Sequence, residues 1–175
     1  MACFVTNKKI VKVSSDFFSG IKSRELEDDN LSSFRMEDDV AGRLWTSGLA
    51  IGRTHGLTLQ VFGSKGGLSW KQEQPNQLFW TPLNESTRII ERGHSSLYPS
   101  ANRINKITIG HPEGMIAAFS NIYKDLFDNI YSIKFDSNPI ELSNSYPTVE
   151  DGFHSLEIVK AMKKSVSLDG SWARV

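Results

Sequence analysis

The sequence predicts an α+β domain: an open, mostly antiparallel β-sheet with helices packed on one face. Three observations carry this. Residues 10–92 read as short β-rich runs parted by turn residues, and two later stretches carry apolar residues at helical spacing. Strands come first and helices last instead of alternating, which is the order of an α+β domain and not of a parallel α/β sheet.

Along the chain, Ile10, Val11, Val13, Phe17 and Phe18 form the first β-rich run, and Leu31 to Met36 the second. A longer stretch from Val40 to Ile51 carries Leu44, Trp45, Leu49 and Ile51 with small residues between them. Leu57, Leu59 and Val61 alternate with Thr58 and Gln60, the period of a strand with one buried face. Gly63-Ser64-Lys65-Gly66-Gly67 supplies a tight turn, and Leu68 to Gln72 begins the return strand of a hairpin. Leu78 to Thr81 and Arg88 to Ile90 are two further short strands.

After Gly110 the period changes. Met115, Ile116, Phe119, Ile122, Tyr123, Leu126, Phe127 and Ile130 make one wide apolar stripe on a helix, with Pro112 expected in its first turn. That stripe is expected to lie on the sheet, so Phe119→Ala should cost about 3–5 kcal/mol. Asp136 to Tyr146 reads as a polar surface linker. Thr148 and Asp151 have the spacing of a capping box and open a second helix, whose expected buried stripe is Phe153, Leu156, Val159, Met162 and Val166. Trp45, Phe62, Trp70, Phe79 and Trp80 are more large apolar side chains than two helices can cover, which predicts an open sheet face used for assembly.

Composition narrows the function. In 175 residues, 20 Lys+Arg balance 20 Asp+Glu, a net charge of zero that argues against an electrostatic nucleic-acid binder. No apolar run reaches the roughly 20 residues of a membrane span, and the first residues lack the order of a secretory signal. A lone Cys3 excludes an internal disulfide and fits a reducing compartment, so a cytoplasmic location is expected.

Self-contained chemistry is scarce. There is no P-loop, HExxH or cysteine cluster, and His55, His94, His111 and His154 have no metal-ligand spacing, so no metal site is expected. The glycine-rich turn at 63–67 leads into a strand, whereas phosphate cradles lead into a helix N-terminus. Gly110-His111-Pro112-Glu113-Gly114 sets an imidazole and a carboxylate at a helix start. Two readings stand there side by side: recognition of a polar ligand, or stabilisation of the helix end itself. Arg53-Thr54-His55-Gly56 reads either as a loop lining a site or, preferably, as a bulged turn. The acidic groups Asp28-Asp29 and Glu37-Asp38-Asp39 read as solvated turn carboxylates.

A resemblance adds to this reading. Gly66-Gly67-Leu68-Ser69-Trp70-Lys71-Gln72-Glu73-Gln74-Pro75-Asn76, then Arg103 with Gly110-His111-Pro112-Glu113-Gly114 and Ala117-Ala118-Phe119-Ser120-Asn121-Ile122-Tyr123, resemble the Gfo/Idh/MocA family of NAD(P)-dependent oxidoreductases. Tyr146-Pro147-Thr148-Val149-Glu150-Asp151-Gly152 and the terminal Gly170-Ser171-Trp172 continue the resemblance in order, over nearly the whole chain. It implies that residues 1–175 are a single C-terminal substrate and oligomerisation domain, with the N-terminal dinucleotide-binding domain missing.

The family's Glu-Lys-Pro motif and its Asp-x-x-x-His pair have no counterpart here, so no catalytic residue is assigned and the isolated chain is expected to be inactive. By resemblance, Arg53, His55, His111 and Glu113, and more weakly Arg103, are substrate-pocket candidates for a sugar or polyol. NAD or NADP belongs to the full-length parent, with no cofactor expected on this chain alone. The expected partner is another copy, in a dimer or tetramer, through the open sheet face. Two other readings are a free-standing binding or assembly domain, and a domain of a NAD-dependent glycosidase or isomerase.

Overall fold

The computed structural model describes residues 1–135 and 146–175. The expected linker from Asp136 lies outside the described residues, apart from Tyr146. The chain forms two compact units, residues 1–53 with 147–175 and residues 54–146. The α+β class holds and every paired strand is antiparallel, with the strands shared between two four-stranded sheets.

The first unit contains α1 (Ala2–Thr6), β1 (Ile10–Phe18), β2 (Asp29–Met36) and β3 (Ala41–Ser47). Its later elements, α4 (Val149–Ser167) and β8 (Ala173–Arg174), close the chain, and its sheet runs β3-β2-β1-β8. Cross-strand partners share a face, so the pairs Val13 with Phe34 and Ser15 with Ser32 put all four side chains under α4. The core there is Ile10, Val13, Phe34, Met36, Ala161, Met162 and Ala173. Phe34 lies flat over its partner Gly42, where any Cβ would occupy the ring's place.

A buried polar seam runs beside that core. Ser32 Oγ donates to Asn30 Oδ1 at 2.6 Å and lies 2.8 Å from Ser15 Oγ. Ser165 Oγ of α4 accepts from the Ser15 N–H at 2.9 Å and donates to the Ser171 carbonyl at 2.7 Å. This seam corrects the expected stripe of α4. Ala161, Met162 and Ser165 face inward, while Phe153, Leu156 and Val159 are exposed. The sheet presents small side chains and the buried Ser15 N–H there, and the helix meets it with small side chains and the Ser165 hydroxyl. The Thr148–Asp151 capping box forms as expected.

Asp28 is a second correction. Its carboxylate is buried and accepts from the Ile21 N–H at 2.8 Å and from Arg24 at 2.5 Å. It stitches the 20–28 turn together, and the Ile21 N–H first, then Arg24, hold its pKa below the ordinary carboxylate value.

The second unit contains β4 (Thr58–Gly63), β5 (Gly66–Lys71), β6 (Gln77–Pro82) and β7 (Arg88–Glu91), paired in that order, then α2 (Pro99–Arg103) and α3 (Met115–Lys134). Two expectations fail in this unit. The aromatic residues do not share one face: Phe79 and Trp80 are consecutive and point to opposite sides. Trp70 and Trp80 lie on one side and Phe62 and Phe79 on the other, while Trp45 belongs to the first sheet. The stripe on α3 is not buried either. Phe119 is 54% exposed and Met115 70%, and the residues α3 buries are Asp125 and Ser132. What fixes α3 in its own unit is polar, through Asn121 and Asp125.

Candidate functional site

The second unit carries a cleft of about 500 Å³, lined by residues from two neighbouring strand ends and a loop. Glu73, Gln74 and Asn76 come from the turn that leads into β6, Gln77 is its first residue, Glu91 ends β7 and Arg92 follows it. Ile109 to Glu113 belong to the loop between α2 and α3. Most of these groups are donors or acceptors, the lining a hydroxylated ligand requires.

The loop is held from below. Asn76 Oδ1 accepts from Arg92 Nε at 2.7 Å and from the Glu113 N–H at 3.3 Å. Arg92 also donates to the carbonyl of Ile107 at 2.8 Å and to that of His111. Glu113 takes the Lys106 N–H at 2.5 Å and the Ile107 N–H on one carboxylate oxygen, with Arg92 Nη1 3.8 Å away. Gly110, at φ +89°, makes the turn that brings His111 to the cleft.

The structure places the five sequence candidates differently. His111 and Glu113 line the same cleft. His111 is exposed, whereas Glu113 is nearly enclosed and caps loop amides instead of its own helix. The helix itself starts at Met115, capped by Gly114 in an extended conformation with no side-chain bond. Pro112 therefore precedes α3 and is not in its first turn: the backbone at 113 is committed to Asn76, and the helix begins only beyond it.

His55 is exposed in the loop before β4. Its neighbour Gly56 donates to Glu73 Oε1 at 2.7 Å, which ties this loop to the cleft's rim. That N–H is the main reason the Glu73 carboxyl has a lowered pKa, with nearby His55 a lesser one. Arg53, in the first unit, lies over the Trp45 ring at 5.9 Å.

Arg103 ends α2 and meets Asp125 of α3 through two parallel bonds of 2.5 and 2.9 Å. The Asp125 side chain is only 7% exposed. The pair, with Asn121 Nδ2 donating to the Ile104 carbonyl at 2.8 Å, joins the two helices.

Asn76, Glu73 and Arg92 were not among the sequence candidates. Their signals were a polar Gln72-Glu73-Gln74-Pro75-Asn76 run at a strand start and an arginine between a strand end and Gly93. Among the described residues, no group of three or more His, Cys, Asp or Glu could hold a metal ion, and no helix is long and apolar enough to cross a membrane.

Residues 9–174 match the model of an oxidoreductase family's C-terminal alpha/beta domain, Gfo/Idh/MocA. The chain is 26% identical over 165 residues to the uncharacterized oxidoreductase YfiI of Bacillus subtilis strain 168, covering 94% of this chain and 42% of that protein. It superposes on an oxidoreductase from Sinorhizobium meliloti with a TM-score of 0.90 at 34% identity, covering 97% of this chain and 48% of that one. An inositol dehydrogenase homolog from Azotobacter vinelandii, solved with NADH and myo-inositol, gives 0.89 at 28% identity, covering 98% of this chain and 45% of that one. The chain thus spans less than half the length of each of these relatives.

Proposed function

Since the chain belongs to the Gfo/Idh/MocA oxidoreductase family as its C-terminal alpha/beta domain, we propose that it is the substrate-side domain of an NAD(P)-dependent sugar or polyol oxidoreductase. The observation that carries this is the cleft that presents the exposed His111 imidazole in a domain of that family. Its lining includes the exposed His111 imidazole and the Gln74 side-chain amide, with Gln77 Nε2 donating to Glu91 Oε1 at 3.1 Å and Glu73 Oε1 accepting from the Gly56 N–H at 2.7 Å. A ring bearing several hydroxyls, each both donor and acceptor, pairs with such a mixed set.

Among the described residues, the glycine-rich turn does not make a cradle for a dinucleotide. The glycine-rich turn at Gly63–Gly67 joins the antiparallel strands β4 and β5 and leads into no helix, so it presents no helix N-terminus to a pyrophosphate. NAD(P) belongs to the remainder of the parent enzyme, whose relatives are more than twice as long. The contribution of this chain is binding and orientation: it fixes the polyol by its hydroxyls so that one carbon–hydrogen bond faces the site of oxidation. Orientation of that kind is worth a large part of a barrier, and a misplacement of about 1 Å costs about 100-fold in rate.

Titration of the chain with myo-inositol, followed by nuclear magnetic resonance, tests the reading. Shifts confined to residues 73–77, 91–92 and 109–113 are the expected result, with no heat in a calorimetric titration with NADH. Absence of any inositol shift at saturating polyol, or micromolar binding of NADH, would reject it.

A further inference from the structure

We infer that Arg92 is a positioning residue of the substrate wall, holding the loop that presents His111; this rests on the cleft being that wall. Between α2 and α3 the chain runs from Ile104 to Gly114 without regular structure, yet the cleft depends on where this loop lies. Arg92 reaches it from the end of β7 with three separate nitrogens. Nη2 bonds the carbonyl of His111, Nη1 that of Ile107, and Nε the Asn76 amide oxygen that also receives the Glu113 N–H.

The two strand ends are themselves joined, since the Arg92 N–H donates to the Asn76 carbonyl at 3.1 Å. Glu113 completes the clasp: its carboxylate holds Lys106 and Ile107 and faces the guanidinium. Side-chain exposures of 14% for Arg92 and 10% for Glu113 show that water has little access. Beside them Gly93, at φ +80°, leaves room for Ile109, whose Cγ1 would be 2.9 Å from a Cβ at that position.

The consequence is a division of labour at one residue. The backbone of His111 is tied to the sheet through Arg92, while its side chain stays exposed at the cleft. Lysine cannot substitute. It carries the charge, but its single ammonium cannot span two carbonyls and an amide oxygen as the planar, five-donor fork does.

The test compares the wild-type chain with Arg92→Lys, Asn76→Ser and His111→Ala. Amide hydrogen exchange reads the loop, and the myo-inositol titration reads the wall. In R92K, exchange at Lys106 and Ile107 should quicken by about tenfold or more while Leu68 and Trp80, inside the sheet, keep their protection. The apparent Kd for myo-inositol should rise about fivefold or more, as loss of a preorganised contact surface predicts. N76S, which removes the acceptor shared by Arg92 and Glu113, should move both readouts in the same direction. H111A should lose the inositol response and retain the amide protection.

Unchanged exchange at Lys106 and Ile107 in R92K would overturn the clasp. Quickened exchange with an unchanged inositol Kd would overturn the positioning role and leave Arg92 a purely structural residue. No inositol response in the wild-type chain would reject the wall, and with it the substrate role of Arg92, while the exchange data would still decide whether Arg92 holds the loop.

Discussion

Arg103 and Asp125 show how one side chain's environment becomes a pH dependence. The hydrogen bonds from Arg103 are the main cause lowering the Asp125 pKa, against the opposing effect of burial. A carboxyl with a lowered pKa in the fold contributes its stability above the ordinary carboxylate value, about 3.9. It loses that contribution as the pH falls through the lowered value. Asp125→Asn should therefore destabilise the chain at pH 7 by about 2–4 kcal/mol, somewhat below the cost of breaking a wholly buried pair, because Arg103 keeps 21% of its side chain exposed. The difference in urea midpoint between wild type and D125N should shrink as the pH drops below 4; a gap that stays constant to pH 2 would show that the pair does not titrate. At this scale the sequence was only partly readable. The glycine-flanked motif left His111 open between ligand recognition and stabilising a helix end, and only the family resemblance pointed it to a pocket. The buried role of Asp28, and Glu113's commitment to Lys106 and Ile107, depend on loop paths that no local pattern encodes.

Elements were more legible than their faces. The 3.6-residue period locates α3 and α4, and the period-2 alternation with a glycine turn locates β4 and β5, because these signals are local. Which side of a helix meets the sheet is decided by the sheet. In α4 the apolar side chains of Phe153 and Leu156 lose to Ala161 and Ser165, since the buried Ser15 N–H needs an acceptor and takes the Ser165 hydroxyl, while the Ser15 and Ser32 hydroxyls bond each other. In α3 the polar Asn121 and Asp125, four residues apart and so on one face, do the anchoring. Denaturation of the isolated chain separates these faces. Met162→Ala, at a side chain only 6% exposed, should lower stability by about 2–5 kcal/mol. Phe119→Ala, at a side chain 54% exposed, should cost less than about 1 kcal/mol. A larger loss for Phe119 than for Met162 would mean that α3 is covered in solution.

At the scale of the molecule, the accessible surface is 13,231 Å² for a chain of 19.6 kDa. One face of the second sheet is coherent and apolar: Leu59, Val61, Leu68, Trp70, Leu78, Trp80 and Ile90 are joined through their cross-strand partners and each is half-buried, while Phe62 and Ile89 on the other face are the more exposed. Burial of apolar surface is favourable by about 25 cal/mol per Å², and a second copy of the chain offers the same face in return, so a two-fold dimer is the simplest assembly that covers it. Sedimentation equilibrium at tens of micromolar should give a mass above that of one chain, and Leu68→Asp, which sets a carboxylate in the middle of the face, should return it to the monomer. A strictly monomeric wild type would mean that this face is completed by the rest of the parent enzyme, and an L68D mass equal to wild type would move the contact to the Phe62 and Phe79 side of the same sheet.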